Sequence, residues 1–400
     1  MTANRVLFLT TLLPGQQTSG GEVASQAFID GLRQNGYEVS VIGYTRKGDG
    51  YSPKPYEQVV EERYIETSKA KTQAIMWLVW GILLGLPYSA AKYYSKAYIR
   101  LVKSLLRTYQ YDVVVIDHSQ LSWLAKFIER KARLIFIAHN VEHEIYSSHF
   151  HNASNPLAKW LYAREADLVK ILESGLAKNA SEVWTLTEED AGYFSGIEGK
   201  DKVKVLALPP GPEKTVEESV KKRFDIGLIG SWTWKFNEEG LQWFFKFIYP
   251  ELSEQVSIHV AGKGAEWLEG KYPNVSYEGF VPNAQVFMAQ AKVVALPILG
   301  GSGIQIKTLD ALASGSAIVA TPQSMRGISL SSSAIQVAEN PKDFANLLLS
   351  EVHDWNIEKS EHAAKVTKDW VIKRRSQFLH NIASSIDYHP RTTADMAKSH

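Results

Sequence analysis

The sequence predicts an α/β protein made of two doubly wound parallel sheets, and three observations carry that expectation. Its 400 residues exceed one typical domain. Short β-rich runs alternate with helical patterns in two separate series. Between the series lies ALPPGPEKTVEESVKKR, Ala207 to Arg223, rich in proline and charge as an interdomain linker is.

The first series of strands is RVLFLT from Arg5, EVSVI from Glu38, DVVVI from Asp112, RLIFIA from Arg133 and EVWTL from Glu182. The second is DIGLIG from Asp225, VSIHVAG from Val256, VSYEGF from Val275, KVVALP from Lys292 and AIVAT from Ala317. The expected domains are 1–207 and 225–370, with a linker over 208–224. A helix over 371–388 is expected to return to the N-terminal domain, and 389–400 to be a frayed tail. Two such domains would face each other across a cleft. Ligands of these sheets bind outside the carboxyl ends of the strands, so function is to be sought in the loops that follow them.

Composition narrows the field. A hydrophobic content of 45% suits a globular core, and a net charge of +1 says nothing for or against nucleic acid. Residues 1–180 are mildly basic, with 21 Lys and Arg against 16 Asp and Glu, which fits an anionic partner or lipid surface as well as it fits uneven solvated faces. The absence of cysteine excludes disulfides, thiolate metal sites and cysteine nucleophiles. The opening MTANRVLFLTTLLPG lacks a small-residue cleavage site and reads as a first buried strand, so a cytoplasmic protein is expected. The three N-x-S sequences at Asn152, Asn179 and Asn274 then carry no meaning.

The most apolar segment, AIMWLVWGILLGLP from Ala74 to Pro87, is too short to span a bilayer, which needs roughly 20 apolar residues. Lys92, Lys96, Arg100, Lys103 and Arg107 follow at spacings of four and three, which puts them on one helix face. Two readings stand: an interfacial helix resting on a membrane, or a core helix with a solvated basic face.

The segment most suggestive of chemistry is LGGSGIQIKTLDALASG, from Leu299 to Gly315. It is not a P-loop, because Ile306 stands where G-x-x-x-x-G-K-S/T requires its second glycine. AGKGAEW, after VSIHV, lacks the third glycine of a dinucleotide fingerprint. His139 to His143 matches H-x-x-E-H, but His139 directly follows a strand and so cannot share a helix face with His143. His139 is therefore either an active-site loop residue or an ordinary histidine. In LGGSGIQIKTLDALASG a strand leads through glycines into a helix starting near Ile304 or Gln305, whose free N–H groups and dipole favour an anion. Lys307 adds a charge in that first turn, where helix dipoles favour acids, and a bound phosphate would explain it. Asp310, three residues on, could accept hydrogen bonds from ribose hydroxyls. The alternative is a capped helix with a surface Lys–Asp pair.

The combination of GSGI, Lys307, Asp310 and ALASG resembles the donor site of glycosyltransferase family 4. PGQQTSGGEVASQAFIDGLRQNGYEVSVI resembles that family's first strand, glycine loop and helix, and AHNVE resembles the loop of its active-site histidine. DIGLIGSWTWKFNEEGLQWFFKFIYPEL resembles the opening of its second domain, and VSYEGFVPN its base-binding turn. The resemblance implies the GT-B fold and a retaining reaction. It departs from the family pattern at two points. Ser302 and Asp310 stand where the family has two glutamates, and Ser231 replaces an arginine of an Arg–Lys pair of which Lys235 remains. GSW-x-W-x-x-N with GSGI-x-x-K resembles a subgroup among bacterial surface-polysaccharide enzymes, a cyanobacterial envelope-polysaccharide transferase in particular.

The resemblance implies transfer of a hexose, glucose first, from a UDP-sugar to a carbohydrate or lipid-linked acceptor. Lys235, Lys307 and the backbone of Gly303, Ile304, Gln305 and Ile306 would stabilise the departing phosphate, with Ser231, Ser302 and Thr308 beside them. Gly20 and Gly21 would let the backbone approach the diphosphate, and the base would rest near Gly262 and Val281. His139 would position the donor sugar, and Glu142 would assist on the acceptor side unless it merely caps a helix. No resident metal or cofactor and no nucleic-acid partner are expected, and peripheral contact with the inner face of the plasma membrane fits the apolar segment. A GT-B epimerase is a rival, for which no acid–base pair is evident. A non-catalytic nucleotide-sugar-binding protein is another, to which Ser302 lends support.

Overall fold

The computed structural model describes residues 4–17, 19–65, 70–128, 132–211, 220–330 and 332–387. Residues 212–219 of the expected linker and the whole expected tail lie outside them. The described residues up to Leu208, with those from Ser376 onward, form one compact unit, and Pro209–Arg375 form a second.

In the first unit the strands are β1 (Arg5–Leu12), β2 (Glu38–Arg46), β3 (Glu57–Arg63), β4 (Val113–Asp117), β5 (Arg133–Ala138), β6 (Glu182–Thr185) and β7 (Val203–Val205). They pair in the order β3-β2-β1-β4-β5-β6-β7, all parallel. The helices are α1 (Gly20–Gln34), α2 (Lys71–Leu84), α3 (Tyr88–Ala91), α4 (Lys96–Thr108), α5 (Glu142–Asn152), α6 (Pro156–Asn179) and α7 (Glu188–Glu198). The second unit has β8 (Phe224–Ile229), β9 (Ile258–Ala261), β10 (Val275–Gly279), β11 (Ala291–Leu296), β12 (Ala317–Ala320) and β13 (Ile335–Val337), in the parallel order β10-β9-β8-β11-β12-β13. Its helices are α8 (Lys235–Trp243), α9 (Ala284–Ala289), α10 (Ile306–Ala313), α11 (Pro341–His353) and the first part of α12 (Ile357–Asp387).

Central strands of such sheets are covered on both faces and read as unbroken apolar runs. Val6–Leu9 and Val113–Ile116 are accordingly buried throughout. The three strands that the apolar pattern did not predict, β3, β7 and β13, are all sheet edges. β3 reads EQVVEER, because an edge strand keeps charge where a central one cannot. In both sheets the chain reverses its direction of growth between the first and fourth strands in sequence, β1/β4 and β8/β11. These switch points open the loops where ligands of doubly wound sheets bind.

The end of α12 completes the first unit. Phe378, Ile382 and Ile386 are buried, and Phe378 stacks tilted on Phe28 with centroids 5.3 Å apart. Asn35 donates to the Leu379 carbonyl at 3.0 Å, and Arg133 donates to that of Ser385 at 2.9 Å. Trp184 donates from Nε1 to Ser385 Oγ at 3.0 Å. Phe378→Ala should therefore lower the stability of the first unit by about 3–5 kcal/mol, read as a drop in its urea midpoint. A midpoint unchanged within error would show that this packing is dispensable.

Candidate functional site

The second unit gathers its polar groups at the carboxyl ends of β8, β9 and β11. After β8 the chain turns through Gly230 to Trp234 into α8. Trp232 is buried and ties this turn to the neighbouring strand: its backbone N–H donates to Lys263 O and its Nε1 to Ala261 O, both at 2.9 Å. Gly262, with φ +106°, lies so close that a Cβ there would fall 1.8 Å from Gly230 O, and only glycine permits that approach. After β11 the segment through Gly301 and Gly303 enters α10, which no side chain caps. Gly303 is buried, with φ +71°.

Lys307, in the first turn of α10, lies between these segments. Its Nζ donates to Asn237 Oδ1 at 2.7 Å and sits 5.7 Å from the Trp232 ring centroid. Asn237 in turn donates to Ser231 O at 2.8 Å. Among the described residues no carboxylate pairs with Lys307. Burial without a counter-charge pushes its pKa down to about 8.

The other residues singled out in the sequence fall around this group or apart from it. Ser231 is exposed and shares a hydroxyl contact with Thr233. Ser302, Ile304, Gln305 and Ile306 line the loop and helix start, each half-buried. Asp310 receives Gln285 Nε2 at 3.3 Å. Val281 follows β10, half-buried. Lys235 is exposed and lies 3.7 Å from Glu239, so its charge has a partner one turn along its own helix. Thr308 requires a correction: it is fully buried and its hydroxyl donates to Ser324 O at 2.7 Å, so it braces the loop after β12 and has no surface for a ligand.

The first unit has its own cluster, at the carboxyl ends of β4 and β5. His139 Nε2 meets Asp117 Oδ1 at 2.6 Å. The other carboxylate oxygen accepts from Ser25 Oγ at 2.6 Å and Thr10 Oγ1 at 2.8 Å. His118 stacks on His139, with centroids 3.9 Å and planes 21° apart, and has φ +81°, a conformation non-glycine residues rarely adopt. Burial alone would raise the Asp117 pKa, but both imidazoles and the Ser25 bond outweigh it and hold it at about 2. His118 is driven down to about 4 by burial and then by His139, against the pull of Asp117. Gly21, near the tip of α1, faces this cluster, and a Cβ there would sit 3.6 Å from the His118 ring. Gly20 is exposed at the same tip, and Ser19 caps it by accepting from Glu22 N. Asn140 Oδ1, beside His139 in the chain, is buried with no hydrogen-bond partner among the described residues.

Glu142 opens α5 but does not cap it. Its carboxyl accepts from Ser119 Oγ at 2.9 Å and Gln120 Nε2 at 2.8 Å, while Glu173 accepts from the Glu142 and His143 N–H groups. Burial, then the charge of Glu173, raises Glu142 to about 8. His143 Nδ1 pairs with Glu173 at 3.0 Å, so the two histidines of H-x-x-E-H have different partners. Asp117, His118 and His139 place one potential ligand atom each within 4.8 Å. Their arrangement does not suit a shared ion: a metal lies near the plane of each imidazole that binds it, and these two planes are stacked nearly parallel.

Asp117, His118, Asn237 and Glu173 were not singled out in the sequence. Asp117 and His118 did carry a signal, an acid and a histidine directly after the apolar run VVVI.

Comparison with known proteins gives the following. Residues 18–173 match the family model "Glycosyltransferase Family 4" and residues 223–354 match "Glycosyl transferases group 1". No curated protein matches the chain in sequence. Among solved structures, Anabaena HepE in complex with UDP-glucose superposes with a TM-score of 0.59 at 14% identity, covering 96% of this chain and 99% of that one. WaaG, a glycosyltransferase involved in lipopolysaccharide biosynthesis, has a TM-score of 0.60 at 14% identity, with 96% and 100% covered. A glycosyltransferase from Rickettsia africae has 0.59 at 11% identity, with 98% and 100% covered. At these identities the likeness is one of fold.

The buried cluster implies a pH dependence of stability with a definite sign. The folded pKa of His118, about 4, lies below the ordinary 6.5. Its contribution is thus present above pH 6.5 and lost as pH falls toward 4, because the unfolded chain takes the proton first. Glu142, raised from 4.5 to about 8, works oppositely: its contribution is present below 4.5 and lost as pH rises through 8. Comparing the parent with His118→Asn isolates the first effect, because Asn carries no group that titrates between pH 4 and 6.5. Between pH 6.5 and 4 the urea midpoint of the variant should fall less than that of the parent. Equal slopes would mean that His118 titrates alike in both states.

Proposed function

We propose that this chain, with glycosyltransferase domains of the family-4 and group-1 kinds on a GT-B fold, is a family-4-like glycosyltransferase that moves a hexose, glucose first, from a UDP-sugar to a carbohydrate or lipid-linked acceptor with retention of configuration. The observation that carries the donor assignment is Lys307: a largely buried ammonium with no carboxylate partner among the described residues, in the first turn of an uncapped helix, at a sheet switch point. A diphosphate supplies the charge that this position lacks. The UDP-glucose complex of HepE supports the choice of donor, and the role of WaaG in lipopolysaccharide biosynthesis supports a polysaccharide acceptor.

In this reading the α10 tip and Lys307 stabilise the negative charge that builds on the leaving phosphate, the step that limits cleavage of the anomeric bond. Asp310 holds the ribose. Lys235, exposed and paired with Glu239 of its own helix, supplies a second charge by turning toward the phosphates. His139, fixed by Asp117, hydrogen-bonds the donor sugar, and Glu142 serves the acceptor. The transfer uses no resident metal.

Two measurements test it. UDP binding should raise the Lys307 pKa above its resting value of about 8. Calorimetry at pH 8 in buffers of different ionisation enthalpy should then detect proton uptake, which Lys307→Met removes; no uptake in the parent would sink the phosphate contact. Lys307→Ala should also lower acceptor-dependent UDP release by about a hundredfold to a thousandfold at saturating UDP-glucose. UDP release that no acceptor stimulates would instead indicate a hydrolase, and none at all an inert binder.

A further inference from the structure

We propose that the first unit carries a docking surface for an anionic phospholipid bilayer, formed by the outer face of α2 and the adjoining start of α6. This inference stands apart from the donor assignment and does not rest on it. α2 is apolar around nearly its whole circumference, a pattern that belongs to a helix in a core or in lipid. Among the described residues one stripe is covered by protein: Trp77 is buried edge-to-face against Tyr88, and a Cβ on Gly81 would approach Leu86 O to 3.0 Å. The rest is open, with Ile75 66%, Ile82 56% and Leu83 71% exposed and Trp80 48%. α6 extends the same surface. Arg164 donates to the carbonyls of Gly81 at 3.3 Å and Leu86, and one turn before it Trp160 is 60% exposed, with Leu157 at 72% beyond. A contiguous apolar face of this kind marks an interaction site.

Length and charge identify the occupant. α2 has 14 residues, about 21 Å of helix, against a hydrocarbon core of about 30 Å. Among the described residues no helix is long and apolar enough to cross a membrane. The helix therefore lies along the interface, where the indoles of Trp80 and Trp160 suit the headgroup depth. From Ala70 to Tyr111 the chain carries Lys71, Lys92, Lys96, Arg100, Lys103 and Arg107 and no acidic residue. The last four are exposed along α4. Such a segment is drawn to anionic headgroups.

Flotation of the full chain with vesicles tests this, using phosphatidylcholine alone or with about a third phosphatidylglycerol. The chain should float with the anionic vesicles and not with the neutral ones. Ile82→Glu with Leu83→Glu, both at exposed positions, should lower the floated fraction at least about tenfold while circular dichroism and UDP release stay unchanged. Trp160→Ser should lower it in the same direction. Undiminished flotation of both variants, equal binding to neutral vesicles, or a dimer that the double variant abolishes in a chain that binds no vesicle would each overturn the proposal.

Discussion

An ammonium group held largely out of water, with no carboxylate beside it among the described residues, governs the second unit. Its neighbours are a neutral amide, Asn237, and the face of Trp232. Neither cancels a charge, so burial lowers its pKa to about 8. The surrounding chain is arranged so that this position holds. Trp232 anchors the turn after β8 to the strand beside it, Gly262 lets two backbones meet where any side chain would collide, and Thr308 braces the start of α10 from below. A site built this way is short of negative charge, which the proposed nucleotide diphosphate would supply.

The first unit applies the same topology to opposite chemistry. Its switch point places an acid, Asp117, under two imidazoles and two hydroxyls. The carboxylate stays ionised because those groups outweigh the burial that opposes it. One imidazole, His139, is thereby fixed in orientation, while the other, His118, is kept uncharged and in a conformation that costs backbone energy. In both units the apolar strands supply rigidity and the loops at their carboxyl ends supply charge. A glycosyl transfer needs those two properties together, because preorganised donors lower a barrier only when they do not have to reorganise.

Much of this was legible from residues alone. Central strands declared themselves as apolar runs, because covered faces on both sides admit nothing else. Lys307 and Asp310 stood out because they follow a glycine loop into a helix, and His139 because it ends a strand. Edge strands β3, β7 and β13 did not, since one open side relaxes the requirement for apolar residues. Thr308 had the right place in the chain and the wrong direction in space: its spacing from Lys307 matched a phosphate loop, but one residue along a helix rotates a side chain by about 100°.

Chain order by itself determined the two-domain α/β architecture, the loops that matter and the identity of the charged residues in them, because those follow from local apolar periodicity and from where glycine permits a turn. Tertiary structure alone decided which charges are paired. Lys307 meets Asn237 from 70 residues away, Ser25 meets Asp117 from 92, and Glu142 meets Glu173 from 31. Whether an ionised group is stabilised, silenced or left waiting for a ligand depends on those partners and on the water they displace, and neither is encoded within the span of a turn or a helix.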